Sequence, residues 1–358
     1  MFIVSLFIMK CIIFAGGAGT RLWPISRKNS PKQFEKLKDG RSTLQMAVER
    51  ISDLGMENIY ISTNEAYISI LKEQVPNLPE ENIFLEPAKR DLTAAVGLSL
   101  CRLKNSGYSG PIAILWADHF VENVNTFVQA LLKAKDLVLK NPNRFIFLAE
   151  KPRFANQNLG WIHVGDCIEE NQFQFEGWRY RPELTECEHM FESKSWLWNP
   201  GYFITDLDFV LDLYRVHVPE MYERLQNMST SEEKIQTEYA SLDAVHFDSA
   251  IVEKVQKDQA VVLKVDLGWS DPGTLYALKE ALVPKTEDNL VRGDVVDLGS
   301  HDSFIFNAEK GKLVTTIGLE GVMVINTGDA LLVCHKNDVP KIKELLKKIE
   351  EEGKEQYL

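Results

Sequence analysis

The chain has 358 residues, of which 45% are hydrophobic and 26% charged, and its formal net charge is −12. That length carries one large domain plus a small one, and the composition excludes a disordered chain, a collagen and a coiled coil. No apolar run approaches the ~20 residues that cross a bilayer. An acidic chain has no general affinity for nucleic acid or anionic membrane, so positive charge for a polyanionic substrate has to be concentrated in one place.

The first stretch, Met1 to Met9, is apolar. No cationic segment precedes it, Lys10 interrupts it and no small-residue cleavage site follows, so it does not read as a signal peptide. A start at Met9-Lys10, with the first eight residues as an upstream extension, fits better. Cys11–Ala15 is a short apolar run ending in glycines, the profile of a buried parallel strand. Leu44–Leu54 has helical periodicity, Ile59–Ser62 reads as a strand, Ala66–Gln74 as a helix and Ile83–Leu85 as a strand. Thr93–Leu103 is a small-residue helix. Ile112–Trp116 is a continuous apolar strand that runs into Asp118. Phe127–Leu139 follows as a helix and Phe145–Ala149 as a strand. This alternation predicts an α/β, Rossmann-like, mostly parallel sheet.

Between Gly160 and Gly201 the pattern turns β-rich and irregular, with many aromatic residues, as suits an insertion that walls a pocket. Phe209–Val216 and Glu232–Ala240 return to helix, and Ala260–Val265 is a strand. From Asn289 to Cys334 only short β-like pieces separated by Gly, Asp and Asn turns appear, which predicts a small β-rich domain. Pro340–Glu350 places Ile342, Leu345, Leu346 and Ile349 on one face and predicts a closing helix. No clear repeat is visible. The expected division is 9–283 for the main domain and 284–358 for the β-rich domain with its helix. Cys11, Cys101, Cys167, Cys187 and Cys334 are odd in number and lack any CxxC or Cys/His spacing. They read as free thiols of a cytoplasmic protein, not as a disulfide framework or a zinc site.

The densest signal is Ala15-Gly16-Gly17-Ala18-Gly19-Thr20-Arg21-Leu22-Trp23-Pro24, continuing to Ser30-Pro31-Lys32-Gln33-Phe34. Glycines directly after a first strand let backbone amides approach a phosphate. Arg21, Arg27, Lys28 and Lys32 concentrate four cations in this segment of an acidic chain. Glycines alone would equally suit a tight turn before a solvated basic loop. The string is no Walker A loop, because Gly-Lys-Ser/Thr does not follow, and it lacks the third glycine of a dinucleotide fingerprint.

The string resembles the signature of sugar-1-phosphate nucleotidyltransferases, and its Trp-Pro-x-Ser and Pro-Lys-Gln-Phe variants resemble those of mannose-1-phosphate guanylyltransferases. The resemblance implies a nucleotidyltransferase domain followed by a short left-handed β-helix. It implies that Ala15, Gly16, Gly17, Gly19, Thr20, Arg21 and Lys32 wrap the nucleotide triphosphate. Arg21 can grip phosphate oxygens with its guanidinium fork, and Lys32 can supply a point charge near the bond being broken. Glu86-Pro87 and Lys89-Arg90-Asp91 resemble the family segment that faces the nucleoside, with Asp91 in place of the usual Asn. The plainer reading of that segment is a strand end and a capped helix.

Trp116-Ala117-Asp118-His119 resembles Pro-Ala-Asp-His, and Gly268-Trp269-Ser270-Asp271 carries the family's Trp-Ser-Asp. Either aspartate alone would read as a cap or turn residue. As a pair they are expected to hold one Mg²⁺ between the nucleotide α-phosphate and the sugar phosphate, since Mg²⁺ takes one or two carboxylates and completes its shell with phosphate and water oxygens. His119 is read as structural. On the sugar side, Gly160-Trp161-Ile162 and Trp198-Asn199-Pro200-Gly201 resemble sugar-binding loops, although Asn199-Pro200-Gly201 is also simply a good turn. Phe247 to Lys254 supports the alignment more than any chemistry.

The family's Phe-x-Glu-Lys-Pro motif falls at Trp178-Arg179-Tyr180-Arg181-Pro182, with Tyr180 for the acid and Arg181 for the lysine. The literal Glu150-Lys151-Pro152 precedes the Gly160 loop and reads as a coincidence at a strand end. The catalytic set is therefore Arg21, Lys32, Asp118 and Asp271. Gly160, Arg181, Asn199 and Asp271 form the sugar-phosphate set. The implied reaction joins an NTP and a sugar 1-phosphate, foremost GTP and mannose 1-phosphate, to give a nucleotide sugar and pyrophosphate. A transferase with another hexose or base, and a non-catalytic nucleotide-sugar-binding paralogue, are the alternatives; retention of the four catalytic residues speaks against the second. An NAD-dependent oxidoreductase is disfavoured by the loop itself. The substrates are small molecules, no nucleic acid or membrane partner is expected, and a homodimer is left open.

Overall fold

The computed structural model describes residues 8–17 and 19–358. Residues 1–7, all but the last of the eight that read as an upstream extension, and Ala18 of the glycine loop lie outside the described residues. By their contacts the described residues form two units, one of 8–16, 47–117 and 121–269, the other of 17, 19–46, 118–120 and 270–358.

The first unit is built on nine strands: β1 (Lys10–Phe14), β2 (Ile59–Asn64), β3 (Ile83–Glu86), β4 (Pro111–Trp116), β5 (Phe145–Glu150), β6 (Gly160–Glu169), β7 (Gln172–Tyr180), β8 (Trp196–Asp206) and β9 (Ala260–Val265). Their order is β3-β2-β1-β4-β8-β5-β9-β7-β6, with β8 also paired to β6. β3, β2, β1 and β4 are mutually parallel, as are β5 and β9, and β8 runs antiparallel between β4 and β5. β1 and β5 are buried on both faces, which is why they read as unbroken apolar runs. A core through Ile12, Ile114, Phe147, Phe203, Tyr214 and Val262 holds the sheet to its helices.

Those helices include α1 (Asp91–Asn105), α2 (Val124–Lys140), α3 (Leu184–Ser193), α4 (Leu207–His217) and α5 (Pro219–Met228). The stretch that reads as irregular, 160–201, resolves into the long antiparallel pair β6–β7, then α3, then β8. Its alternation is broken by register shifts at His163/Val164 and beyond, so a period of two is not sustained in the sequence. α3 and α5 escape a periodicity reading because their buried stripes are narrow: Cys187 and Met190 in α3, and Met221, Leu225 and Met228 in α5.

In the second unit, α6 (Leu275–Leu282) precedes β10 (Leu290–Arg292), β11 (Val295–Leu298), β12 (Phe304–Asn307), β13 (Val314–Ile317), β14 (Val322–Asn326), β15 (Leu331–His335) and the closing helix α7 (Ile342–Glu351). β10, β12 and β14 stack in parallel, β11 pairs in parallel with β13, and β15 closes the larger sheet antiparallel to β14. This is the β-helix-like domain that the resemblance implies. The coils do repeat: Leu290 pairs with Phe304 and Phe304 with Met323. The unequal steps between those partners are why no repeat is visible in the sequence. Inside the stack, the Asn326 side-chain amide donates to Asn307 Oδ1 at 2.8 Å, and Asn307 donates to the Asp294 and Lys312 carbonyls. Leu22, Trp23, Phe120, Leu275, Phe304, Ile325 and Ile342 form its core.

Candidate active site

The glycine segment leaves β1 and turns at Gly19, which has φ +61°. An added Cβ there would lie 2.8 Å from the Lys32 backbone nitrogen, so both conformation and space require glycine. A cis peptide joins Trp23 to Pro24. Ser26 Oγ donates to the Gly19 carbonyl at 2.6 Å, and Gln33 Nε2 donates to the Gly17 carbonyl at 2.9 Å. The loop is thus held against the 3₁₀ turn Lys32–Phe34, which carries the buried Lys32.

Lys32 Nζ is 2.6 Å from Asp118 Oδ2 and 3.4 Å from Asp271 Oδ1. These two aspartates are far apart in the chain. They meet because Phe120 and Ser270 exchange backbone hydrogen bonds of 3.0 and 3.1 Å, a small antiparallel bridge that lays the two segments side by side. Burial works against the charge on both Asp118 and Lys32. Their attraction more than offsets it: the Asp118 carboxyl is held down at about 2, with Lys32 and then His119 as the stabilising charges, and Lys32 is shifted upward by Asp118 and Asp271. The Arg21 guanidinium lies over Gly273, where an added Cβ would sit 3.3 Å from its Nη2. His119 is buried, with Nε2 3.8 Å from Asp118 Oδ1.

The donor set fits a divalent metal. Two carboxylates, 31% and 33% exposed, already converge on one cation, the Lys32 ammonium. Among the described residues no group of three or more His, Cys, Asp or Glu side chains gathers to hold a metal. An ion placed between Asp118 and Asp271 would draw its remaining ligands from substrate and water, as Mg²⁺ commonly does.

The expected nucleotide-binding residues Ala15, Gly16, Glu86, Pro87 and Asp91 lie in the first unit. Ala15 donates its N–H to the Ser62 carbonyl at 2.8 Å and accepts from Thr63 Oγ1 at 3.0 Å. Glu86 ends β3, buried, and accepts from Ser62 Oγ at 3.1 Å and Tyr239 OH at 2.8 Å. Burial pushes its carboxyl up, against the pull of those two donors. Gly16 lies beside it, since an added Cβ would be 3.4 Å from Glu86 Oε1. Pro87, half-buried, continues from Glu86. Asp91 has φ +60°, a left-handed conformation that Asn and Asp tolerate best after glycine, so Asp can stand where the resembled motif has Asn. Its Oδ2 lies 3.0 Å from His246 Nδ1.

Of the expected sugar-phosphate residues, Gly160, Asn199 and Arg181 lie in the first unit and Asp271 in the second. Asn199 pairs with Gly160 across β8 and β6, and Gly160 pairs with Tyr180 across β6 and β7. Asn199 Oδ1 accepts the Gly201 N–H at 3.0 Å. Trp116, which replaces a proline of the resembled motif, donates its indole N–H to the Gly201 carbonyl at 2.9 Å. Arg181 is exposed, at φ +48°, with its guanidinium 5.1 Å from the Tyr180 ring centre.

Sequence reasoning read Glu150 as a coincidental motif match at a strand end and missed what its carboxylate does. Its carboxylate is fully buried, accepts from the Leu267 N–H at 2.8 Å and the Trp269 N–H at 3.2 Å, and is 3.2 Å from Arg153 Nη1. Arg153 Nη2 donates to the Trp269 carbonyl at 2.6 Å. The pair fixes the backbone that leads into Ser270-Asp271. A carboxylate at the end of an otherwise apolar buried strand was the available signal, because a buried charge needs partners.

Residues 10–288 match the family described as nucleotidyl transferase, and residues 293–349 the MannoseP isomerase/GMP-like beta-helix domain. The chain belongs to the nucleotidyl transferase family and is a nucleotidyltransferase. It is 27% identical over 360 residues to mannose-1-phosphate guanylyltransferase of Escherichia coli, covering 97% of this chain and 76% of that protein. It is 29% identical over 354 residues to the alginate biosynthesis protein AlgA of Pseudomonas syringae pv. tomato, covering 96% and 72%. A crystal structure described as mannose-1-phosphate geranyltransferase from Thermus thermophilus superposes with a TM-score of 0.86 at 25% identity, covering 96% of this chain and 99% of that one. Enzymes of this family typically use a divalent metal. No helix among the described residues is long and apolar enough to cross a membrane.

Proposed function

We propose that this chain transfers a guanylyl group from GTP to mannose 1-phosphate, giving GDP-mannose and pyrophosphate with Mg²⁺. The observation that carries the reading is Lys32, seated in the signature segment between Asp118 and Asp271. A phosphate oxygen of mannose 1-phosphate attacks the α-phosphorus of GTP. The bond from that phosphorus to the bridging α–β oxygen breaks, and pyrophosphate leaves with the electron pair. The attacking oxygen is already anionic, so no general base is needed. The protein's task is positioning and charge neutralisation.

Lys32 and Arg21 place positive charge at the reacting phosphates, and Gly16, Gly17, Gly19 and Thr20 supply the loop around the triphosphate. Asp118 and Asp271 would hold Mg²⁺, which when bound neutralises phosphate charge and orients the two reactants. Ala15 belongs to the same loop, and Glu86, Pro87 and Asp91 face the nucleoside. Gly160 and Asn199 face the sugar, and Arg181 grips its phosphate. Residues 9–283 make the catalytic domain and 284–358 the β-helical one. The free thiols suit a cytoplasmic protein, and light scattering tests the homodimer. The deciding experiment is pyrophosphate release over a matrix of four NTPs and several hexose 1-phosphates with Mg²⁺. The GTP and mannose 1-phosphate pair should be fastest. Folded protein that releases no pyrophosphate from any pair would sink the reading.

A further inference from the structure

The signature segment has a second face. In the same unit as Lys32, a cavity of about 270 Å³ lies between this segment and α7. Thr20, Ser26, Arg27 and Lys28 line one side, and Lys343 and Lys347 the other. Four cations from two distant segments thus converge in a chain of net charge −12. Lys343 and Lys347 are one turn apart on α7, so their like charges share a face and repel.

Arg27 is fully committed, donating to the Tyr357 carbonyl at 2.7 Å, to Thr327 Oγ1 at 3.1 Å and to Asp329 Oδ1 at 2.5 Å, and so forms a fixed wall. Lys28 reaches Glu350, and Lys347 reaches Glu351, at 3.5 Å, longer than the usual charge-assisted hydrogen bond. The Lys343 ammonium and the Thr20 hydroxyl make no hydrogen bond or ion pair among the described residues. Against these cations the lining sets Glu350, with Trp23, Leu346 and Leu358 as apolar surface.

We propose that this cavity binds a small phosphate-bearing anion, held by Lys28, Lys343, Lys347 and the Thr20 hydroxyl. Ammonium groups and a hydroxyl around one space are the donors a tetrahedral oxyanion takes. The volume falls below the ~300–1,000 Å³ of pockets for drug-sized ligands, so it suits a diphosphate or a small phosphomonoester rather than a whole nucleotide. The site is linked to the loop at Lys32: Ser26, fully buried in its wall, donates to the Gly19 carbonyl. The anion has two candidate sources. One is the pyrophosphate of the transfer, an assignment that rests on the function proposed above; the other is a free phosphorylated metabolite.

The test is calorimetric titration of the full chain with inorganic pyrophosphate at constant ionic strength. The variants are the double replacement Lys343→Ala/Lys347→Ala and, as control, Lys348→Ala on the same helix but off the lining. The double variant should lose at least about tenfold in affinity at this site, as expected when two charge-assisted contacts go, and Lys348→Ala should match the wild type. If the KM for the NTP rises in the double variant together with that loss, the anion is the reaction's own pyrophosphate. If a two-site isotherm falls to one site at unchanged KM, the site takes a separate phosphorylated effector. Absence of pyrophosphate binding, unchanged affinity in the double variant, or an equal loss in Lys348→Ala each overturns the proposal. The titration needs no turnover. A chain that binds pyrophosphate here yet transfers no nucleotide breaks the proposed function and leaves this site standing.

Discussion

The regions around Lys32 and around Arg181, proposed to face the phosphates and the sugar, are built in opposite ways. At Lys32 the charges hold one another: the ammonium is buried between two carboxylates, and those are set side by side by the Phe120–Ser270 bridge. At Arg181 the guanidinium is exposed and leans on Tyr180, itself 63% exposed. The first region sets both carboxylates in place beforehand, and a divalent ion bound between them would take the position that the Lys32 ammonium now holds. The second has its backbone set by strand pairing at Gly160 and Asn199, while its guanidinium stands exposed. On the proposed function, rigidity lies where charge changes most and specificity is left to a more exposed surface.

The sharpest way to break this contrast is at the aspartates. Asp118→Ala and Asp271→Ala should each lower kcat by about 10²–10³-fold or more with the fold retained. The double variant should be little worse than either single one, because both remove the same shared charge site. Fully additive losses in steady-state kinetics would mean that the two do not act together. Next, Lys32→Ala should cost about 10²-fold in kcat with a smaller change in the KM for the nucleotide. A normal kcat with a raised KM would make Lys32 a ground-state binding group.

A smaller effect is expected at the turn. Gly19→Ala forces a left-handed residue against the Lys32 backbone, and about 1–2 kcal/mol of strain should appear as a lowered Tm with reduced kcat. On the sugar side, Arg181→Ala should raise the KM for the sugar phosphate about tenfold while leaving the nucleotide KM and the Tm near wild type. An unchanged sugar-phosphate KM would move the phosphate contact elsewhere, with Lys151 the first alternative.

The smallest effect concerns pH. Asp118 has a folded pKa of about 2, against about 3.9 for an unperturbed aspartate. A depressed carboxyl contributes stability that is fully present above about pH 4 and is lost as pH falls through about 2. Its partial exposure makes the contribution modest. Acid denaturation of wild type should therefore show this loss, and Lys32→Met should reduce it. Identical acid limbs in the two proteins would show that the pair is not coupled in solution.

Much of the fold was legible because buried parallel strands write themselves as apolar runs: Phe145–Ala149 became β5 with one added residue, and Ala260–Val265 is β9 as read. The antiparallel pair β6–β7, with its bulges, and the short amphipathic helices α3, α5 and α6 were not legible, since a few buried residues set no clear period. At the site, the signature string and the two Asp-bearing motifs were readable as residue types. Glu150 was not, because its role lies in accepting backbone N–H groups from a segment more than a hundred residues away.

Local pattern alone carried the order of the buried parallel strands and longer helices, the glycine loop with its cations and the two aspartates worth pairing, because these are matters of hydrophobicity, backbone freedom and charge. Only the tertiary structure decided that Asp118 and Asp271 share one lysine, that Glu150 fixes the backbone entering Ser270-Asp271, and that Lys343 and Lys347 face Thr20 and Lys28 across one cavity. Such meetings depend on backbone bridges and packing between distant segments, and Coulomb energy depends on separation in space, of which separation along the chain is no measure.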